Sequence, residues 1–239
     1  MIRSLADAVT AVILAPCCAC CNRALDQPTR GAVCGTCWGS IRIATGPLCE
    51  TCGDALPSWR QMDPLRRCNR CRQAARVITV GRSIGPYEGT LRDILHALKY
   101  DRRRSLAQPL AQRMVSAGGL VLEGADAVVP IPLHFIRQYR RGFNQAFELA
   151  RHLDLPLSDC LRRRRATVTQ TDLPEAQRHA NVRGAFSMRG RIAPGMVLVI
   201  VDDVSTTGAT VDACAQVLLA AGAKEVRALT AARAVARLP

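Results

Sequence analysis

Two adjacent carboxylates followed by a hydroxyl-rich loop are the residues of this chain best suited to chemistry. The segment 197–211 reads VLVIVDDVSTTGATV. Asp202 and Asp203 offer acceptors for neighbouring hydroxyl groups, and the loop after them offers hydroxyls and backbone N–H groups that a phosphate can approach closely. Such an order of groups fits a phosphorylated ribose. The loop residues concerned are Ser205, Thr206, Thr207, Gly208, Ala209 and Thr210.

The flanking patterns predict how these groups are positioned. Residues 197–201 form a β-branched run without alternation, which predicts a strand buried on both faces of a parallel sheet. The carboxyl end of such a strand is a common ligand site. Beyond Ala209, apolar spacing predicts a helix whose N-terminus points at the anion. The alternative is a solvated Asp-Asp turn before an ordinary helix, which the order of strand, acids, loop and helix disfavours.

This segment resembles the phosphoribosyl pyrophosphate (PRPP) motif of type I phosphoribosyltransferases. The resemblance covers 197–211 and implies that PRPP binds with Mg2+, with Asp202 and Asp203 in catalytic positions. No Gly-Lys-Ser/Thr triplet is present, which distinguishes the segment from a P-loop. Purine-salvage members of the family usually carry a third Asp where this chain has Thr206, so a hypoxanthine or guanine substrate is disfavoured.

The cysteines predict a second, smaller unit. Ten of the twelve lie before residue 72, and four C-x-x-C pairs predict two zinc ribbons that bind structural Zn2+. Disulfides would need an oxidising compartment, and a redox C-x-x-C is normally single. Cys17 and Cys20 have the same spacing as the first pair, which leaves that pair ambiguous. The predicted ligands are Cys18, Cys21, Cys34, Cys37, Cys49, Cys52, Cys68 and Cys71, and Cys160 and Cys214 are predicted to be buried core thiols.

The remaining pattern predicts an α/β fold with a parallel sheet and crossover helices. Strands are predicted at 76–84, 127–131, 197–201 and 226–230, helices at 88–100 and 143–153, a further helix ending near 118, and a long loop at 162–184. The expected division is an N-terminal helix at 1–16, a double zinc ribbon at 17–73 and a phosphoribosyltransferase-like domain at 74–239. No apolar run reaches the length of a membrane span, and we expect a cytoplasmic protein.

A second candidate anion site follows the strand at 127–131. Pro132 ends a rigid Pro-Ile-Pro turn, and Arg137, Arg140 and Arg141 are predicted to lie in the turn before Gly142 opens a helix. Guanidinium groups after the first core strand suit pyrophosphate. The alternative is a stiff turn with solvated arginines. The net charge of +14 also favours phosphate or nucleic-acid ligands, although an arginine-rich composition can reflect the base composition of a genome.

Three motifs together are similar to those of the ComF family of competence-associated proteins. They are ALKY at 97–100, PIPLHxxRxxxRGFNQA from Pro130, and RxxTxxQxxLxxxxRxxNxxxxF from Arg164 to Phe186. The resemblance implies a zinc ribbon before a type I phosphoribosyltransferase-like domain and a role in DNA uptake. It also implies a loop that closes over the site, with Arg164, Gln170, Arg178 and Asn181 as its candidate residues and Arg164 and Arg178 as catalytic. The alternative is that the arginine run at 162–165 is solvated or contacts DNA.

These observations support three functional hypotheses. The chain is a phosphoribosyltransferase whose acceptor the sequence does not identify, a PRPP-sensing module that binds single-stranded DNA, or an adaptor that docks on a competence helicase or another uptake protein. Stacking residues for DNA are few, because aromatics make up 4% of the chain. The candidates are Trp38, Trp59, Tyr139 and Phe143.

Overall fold

A four-stranded parallel sheet is the centre of the fold. The computed structural model describes residues 7, 10, 15–56, 65–165 and 182–234, apart from the side chain of Arg140. Within these residues the parallel strands are β1 (Gly81–Pro86), β2 (Ala127–Pro130), β5 (Val197–Ser205) and β6 (Glu225–Arg233), in the spatial order β1-β6-β5-β2. β3 (Leu161–Arg163) and β4 (Phe186–Met188) form a separate antiparallel pair. The predicted α/β class with a parallel sheet is confirmed.

Helices flank this sheet or begin directly after Cys34 and Cys68. They are α1 (Gly35–Gly39), α2 (Asn69–Gln73), α3 (Gly89–Tyr100), α4 (Ala107–Leu122), α5 (Phe135–Arg141), α6 (Gln145–Ala150) and α7 (Ala209–Ala220). α4 continues past its predicted end at 118, where Gly118 has non-helical dihedrals and marks a kink. A Cβ there would lie 2.5 Å from a methyl group of Leu229 on β6. None of the helices in the described part of the chain is long and apolar enough to span a membrane.

Both faces of β5 are buried, which explains its unbroken apolar run. Val199 and Val201 pack with α3 and α4 on one side. Leu198 and Ile200 pack with α7 and the β3–β4 pair on the other. Successive side chains of a strand point to opposite faces, so a strand covered on both sides needs apolar residues at every position. The predicted core thiols Cys160 and Cys214 are confirmed as buried.

The region of the first cysteine pairs joins one of these two cores. Val33 and Cys37 belong to the same apolar cluster as the buried face of α3. Of the helix predicted at 1–16, the structure describes Asp7 and Thr10, which are helical, and residues 15 and 16, which are not. A carboxylate oxygen of Asp7 accepts a hydrogen bond from the Thr29 N–H at 2.9 Å. The division of the chain at residue 73 stays a prediction.

The structure corrects the predicted turn around Arg137 and Arg141. These residues belong to helix α5, and Gly142 ends that helix instead of opening the next one. Gly142 has φ of +79° and donates its N–H to the Gln138 carbonyl, which is the usual glycine helix end. The next helix, α6, begins later than predicted because Asn144 caps it, accepting from the Ala146 N–H at 3.0 Å, and it ends at Ala150 and not at 153.

Several strand boundaries also differ from the predictions; β6, for example, extends to Arg233 and not only to residue 230. β5 runs on to Ser205, so Asp202 and Asp203 lie within the strand and not after it, because β6 continues to pair beside them. β1 starts at Gly81 and not at residue 76. The preceding backbone is held by α7, since the Val77 N–H donates to the Asp212 carboxylate at 3.3 Å.

Candidate functional site

The acid pair lies near the carboxyl end of β5, opposite the C-terminal turn of α3. Lys99 of α3 forms an ion pair with Asp203, and the two side chains are only 14% and 13% exposed. The backbone N–H of Asp203 donates to Asp202 Oδ1 at 2.8 Å, which orients the Asp202 carboxylate. Because the pair lies at the carboxyl edge of a parallel sheet, it occupies the position where ligands of such folds bind.

Asp202 is surrounded by cations from three different elements. Loss of hydration raises its pKa to about 7, while the positive charges of Lys99, Arg163 and Arg141 oppose that rise. Burial also lowers the pKa of Lys99 to about 8. A carboxyl group that titrates near neutrality in a cationic surrounding is typical of a site prepared for a charged ligand.

The arginines around Asp202 form a positively charged wall. Burial is the main reason that the pKa of Arg141 and that of Arg163 are lowered, and the neighbouring charge of Arg137 lowers both further. The Arg141 guanidinium also lies over the ring of Tyr100, 5.4 Å from its centroid. Cations held this close together repel one another, so an anion bound among them would relieve the repulsion.

Gln145 has an unused hydrogen-bond donor beside this wall. The residue is 2% exposed, and its Oε1 accepts a hydrogen bond from Arg141 Nη1 at 2.8 Å. Its Nε2 has no hydrogen-bond partner among the described residues. A buried amide N–H without a partner is unfavourable, which indicates that a ligand atom or water completes its hydrogen bonding.

The loop predicted to hold phosphate turns sharply into α7. We call residues 205–210 the phosphate loop. Gly208 has φ of +85°, and a Cβ there would lie 2.0 Å from a guanidinium nitrogen of Arg76. Ser205 and Thr207 are buried, and Thr207 Oγ1 accepts from the Ala209 N–H at 3.3 Å. Thr206 and Thr210 are half-buried at the surface of the loop.

The candidate Arg164 and its neighbour Arg163 have different surroundings in the structure. Arg163 on β3 packs over the ring of Phe186, 5.2 Å from its centroid, and faces Asp202. Arg164 is exposed, and its backbone N–H donates to the Ala185 carbonyl at 2.8 Å. The other residues predicted for the closing loop, Gln170, Arg178 and Asn181, lie outside the described residues, as does Trp59.

A cavity of about 460 Å3 adjoins the site at Arg163 and Pro132. Its lining combines aromatic side chains with charged and amide groups. They include Phe135, Phe143, Phe147, Asn144, Arg104, Arg162 and Arg189. The volume is within the range of small-molecule pockets.

Eight cysteine thiols gather into two groups of four. The first cysteine cluster is Cys18, Cys21, Cys34 and Cys37, and the second is Cys49, Cys52, Cys68 and Cys71; within each cluster all sulfur atoms lie within 4.8 Å of one another. Sulfur ligands about 2.3 Å from a tetrahedral Zn2+ would be about 3.8 Å apart. Cys18 and Cys37, and also Cys21 and Cys34, are separated by 3.8 Å. Both clusters therefore could hold zinc ions.

Both clusters contain thiols whose pKa is lowered, which favours the thiolate form that binds zinc. Burial raises the pKa of Cys18, but backbone N–H groups, including that of Cys34, donate to its sulfur and bring the pKa to about 6. Hydrogen bonds from the neighbouring thiols, Cys52 first, hold the pKa of Cys49 far below its usual range. Cys17 and Cys20 are outside both clusters, and the Cys17 thiol lies 3.6 Å from the Ala15 carbonyl. The geometry thus favours Cys18 and Cys21 as the first pair.

The sequence interpretation did not single out Lys99, Arg163 or Gln145. Lys99 lies in the ALKY motif and Gln145 in RGFNQA, so the motifs contained a signal without assigning roles. To choose Arg163 and not Arg164 as a site residue, the position of strand β3 would have to be known. On β3, Leu161 and Arg163 point to the same face, and Leu161 is buried.

Comparisons with known proteins agree with this architecture. Residues 126–238 match the family model described as phosphoribosyl transferase domain. The DNA utilization protein YhgH of Salmonella typhi is 35% identical over 82% of this chain and 87% of its own length. Competence protein F of Haemophilus influenzae is 30% identical over 84% and 91%. Competence protein ComFC of Bacillus subtilis is 28% identical over 80% and 79%. With such relatives matched along most of their length, the chain belongs to the ComF family and carries a phosphoribosyl transferase domain.

Proposed function

We propose that this chain binds PRPP together with Mg2+ and transfers its phosphoribosyl group to an acceptor. The surroundings of Asp202 carry this proposal. Its carboxyl group has a pKa near 7, lies among Lys99, Arg141 and Arg163, and is on the strand that leads into the phosphate loop. A sugar diphosphate needs both features, carboxylates for its hydroxyl groups and cations for its phosphates.

Each part of PRPP has a candidate partner. Asp202 and Asp203 accept hydrogen bonds from the two ribose hydroxyls. The backbone N–H groups of the phosphate loop and the N-terminus of α7 hold the 5-phosphate. When bound, Mg2+ would neutralise part of the pyrophosphate charge and orient it beside the acid pair.

The pyrophosphate lies against α5 and the start of α6 in this proposal. Arg137 and Arg141 hold its oxygens next to the turn at Pro132, and Gln145 Nε2 donates to it. An incoming nucleophile displaces pyrophosphate at the anomeric carbon, and Arg163, Arg164 and Arg178 stabilise the negative charge that develops on the leaving group. Such catalysis depends on positioning and on preorganised charge.

The two cysteine clusters bind structural Zn2+ in this proposal, one ion in each. Four thiolates complete a tetrahedral shell and leave no position open for a substrate, so the zinc ions contribute to folding and not to the transfer reaction. We also propose that the protein is cytoplasmic, where PRPP is available and thiols stay reduced.

Calorimetry with Mg2+ and PRPP on the zinc-loaded chain tests this function. We expect micromolar binding by the wild type, loss of binding in the double variant Asp202→Ala/Asp203→Ala, and unchanged binding in the control Asp93→Ala. Asp93 is partly exposed and pairs with Arg92 away from the site. No binding by a folded, zinc-loaded wild type would contradict the proposal.

A second candidate function is binding of single-stranded DNA, with PRPP as a regulatory ligand. Helix α5 presents Phe135 and Tyr139 to solvent at 71% and 89% exposure, and Ile136 at 42%. Phe135 also lines the cavity, together with several arginines. Exposed aromatic side chains near cations are the usual means of holding unpaired bases. The names of the relatives, DNA utilization protein and competence protein, favour the same partner.

Fluorescence anisotropy with a labelled oligo-dT tests the second candidate. Binding should weaken steeply with salt and fall in Phe135→Ala/Tyr139→Ala, but not in Leu120→Ala, whose side chain is exposed on α4. If the double variant binds as tightly as the wild type, α5 is not the DNA surface. If DNA is not bound at all, an adaptor role on a helicase or another uptake protein remains as the non-catalytic alternative.

A further inference from the structure

The second cysteine cluster lies against the phosphate loop. Arg70 is on helix α2, between Cys68 and Cys71, and its Nη1 donates to the Thr206 carbonyl at 3.4 Å. The two residues are 136 positions apart in the chain. A side chain placed between two cluster cysteines thus contacts the backbone of the candidate phosphate site directly.

A buried ion pair makes a second connection. Asp54, two residues after Cys52, accepts hydrogen bonds from Arg233 Nε and Nη2, the latter at 3.2 Å, and the Cys68 thiol lies 3.7 Å from the same carboxylate. Arg233 is only 6% exposed, and its Nη1 donates to Ser205 Oγ at 3.4 Å. The Asp54 hydrogen bonds raise the pKa of Arg233 against the opposing effect of burial, so the guanidinium stays charged.

Arg76 makes a third connection, just beyond the cluster. Its Nη2 donates to the Gly208 carbonyl at 3.4 Å, and its Nε donates to Asp212 on α7 at 2.6 Å. The two side chains of this ion pair are 6% and 10% exposed. The guanidinium occupies the space that a Cβ of residue 208 would need. Arginines on the side of the second cysteine cluster therefore donate hydrogen bonds to three residues of the phosphate loop, namely Ser205, Thr206 and Gly208.

The direction of these contacts determines where the loop N–H groups point. The described peptide bonds are trans, and in a planar trans peptide the C=O of one residue and the N–H of the next point in opposite directions. When Arg70 holds the Thr206 carbonyl toward the second cluster, the Thr207 N–H points away from the cluster. An anion that accepts a hydrogen bond from the Thr207 N–H would therefore lie on the side of the loop opposite the cluster.

The first cysteine cluster has different neighbours. Trp38 beside it stacks on Arg113 of α4, with the guanidinium carbon 4.0 Å from the ring centroid. The Ser40 hydroxyl bonds that of Thr90 on α3 at 2.8 Å. These contacts join the first cluster to helices α3 and α4 and not to the phosphate loop. The first cluster can therefore serve as the control in tests of the second.

We infer that the second cysteine cluster keeps the phosphate loop in its anion-binding shape through Arg70, Arg76 and the Asp54–Arg233 pair. These four side chains are positioning residues for the phosphate ligand and do not touch it. Occupancy of the second cluster by Zn2+ therefore changes affinity for the phosphate ligand, whereas occupancy of the first does not. The identity of that ligand as PRPP rests on the proposed function, but the coupling between cluster and loop does not.

Hydrogen–deuterium exchange on the full zinc-loaded chain tests the coupling without any ligand. In Arg70→Ala, the amides of 205–210 should exchange about tenfold faster than in the wild type, because a charge-assisted hydrogen bond to the loop is lost. Arg113→Ala is the control, because it removes an arginine beside the first cluster. In this variant the exchange rates of the 205–210 amides should equal those of the wild type. Both variants should retain their zinc, since neither removes a ligand. Unchanged exchange of the loop in Arg70→Ala would overturn the inference.

Affinity for PRPP with Mg2+ provides the second measurement. Arg70→Ala should bind about tenfold more weakly than the wild type, and Arg113→Ala equally well. Faster loop exchange with unchanged affinity would overturn the positioning role. If the wild type itself does not bind PRPP, the proposed function fails, while the exchange experiment still decides whether the cluster shapes the loop.

The cysteines supply an independent pair of variants. Cys71→Ser should lose zinc from the second cluster and speed loop exchange, whereas Cys37→Ser should lose zinc from the first and leave the loop unchanged. Equal effects of the two substitutions on the loop would contradict a specific coupling. If Cys71→Ser does not fold, Arg70→Ala still decides, because it leaves all eight thiols in place.

Discussion

The titration of Asp202 predicts opposite effects of pH on ligand binding and on stability. Its pKa is raised to about 7 by loss of hydration, from an ordinary value near 3.8. The groups that face it are Lys99, Arg141, Arg163 and the neutral thiol of Cys214. The ionised form is the one that accepts hydrogen bonds from ribose, so a proton on Asp202 competes with PRPP.

The magnitudes follow from this pKa. A group with a pKa of 7 is about one-tenth ionised at pH 6 and about nine-tenths ionised at pH 8, so affinity for PRPP should rise about tenfold across that interval. The free energy of unfolding of the unliganded protein should fall over the same pH interval. A carboxyl whose folded pKa is raised contributes stability that is complete below its unfolded pKa and is lost as pH rises through 7. Integration of the linkage relation from pH 6 to pH 8 gives a loss of about 1.4 kcal/mol.

Paired measurements on the wild type and on Asp202→Asn test this reasoning. Calorimetry at pH 6 and pH 8 gives the affinities, and urea unfolding gives the stability difference. In the variant, any remaining pH dependence comes from other groups, such as the PRPP phosphates and the cysteine clusters. Only the difference in pH dependence between wild type and variant is therefore assigned to Asp202. Lys99 keeps its ion pair with Asp203 in the variant. Identical pH dependence in the two proteins would refute a neutral-range pKa for Asp202.

Three further predictions concern other parts of the molecule. Gln145→Leu should weaken pyrophosphate binding by about fivefold to tenfold in calorimetry, because its unpaired Nε2 is lost; the exposed control Gln112→Leu should have no effect, and equal affinities in both variants would exclude Gln145 as a ligand. Gly208→Ala should lower the free energy of unfolding by about 1–3 kcal/mol, since φ is +85° and Arg76 fills the Cβ position; an unchanged urea midpoint would be inconsistent with this loop geometry. Metal analysis should find two zinc ions per chain in the wild type and in Cys17→Ser; a lower zinc content in Cys17→Ser would show that the first cluster uses the other pair.

Much of the architecture could be predicted from local pattern. The unbroken apolar run of β5, the apolar face of α3 and the start of α7 at Ala209 depend on residues near one another in the chain, and the structure confirms all three. Repeated C-x-x-C spacing likewise predicts two groups of four thiols. Boundaries were less predictable, because β5 extends to Ser205 only through pairing with β6.

The sequence by itself determined the chemical groups of the candidate site: an acid pair, a hydroxyl-rich loop, a set of arginines and eight cluster cysteines. Tertiary structure decided which of them meet. Lys99 reaches Asp203 because α3 and β5 pack together, and Arg163 faces Asp202 because β3 places alternate side chains on opposite faces. Arg70 reaches the phosphate loop across 136 positions of chain. Spacing along the chain carries no information on such distances, since they depend on how the crossover connections return each element to the sheet.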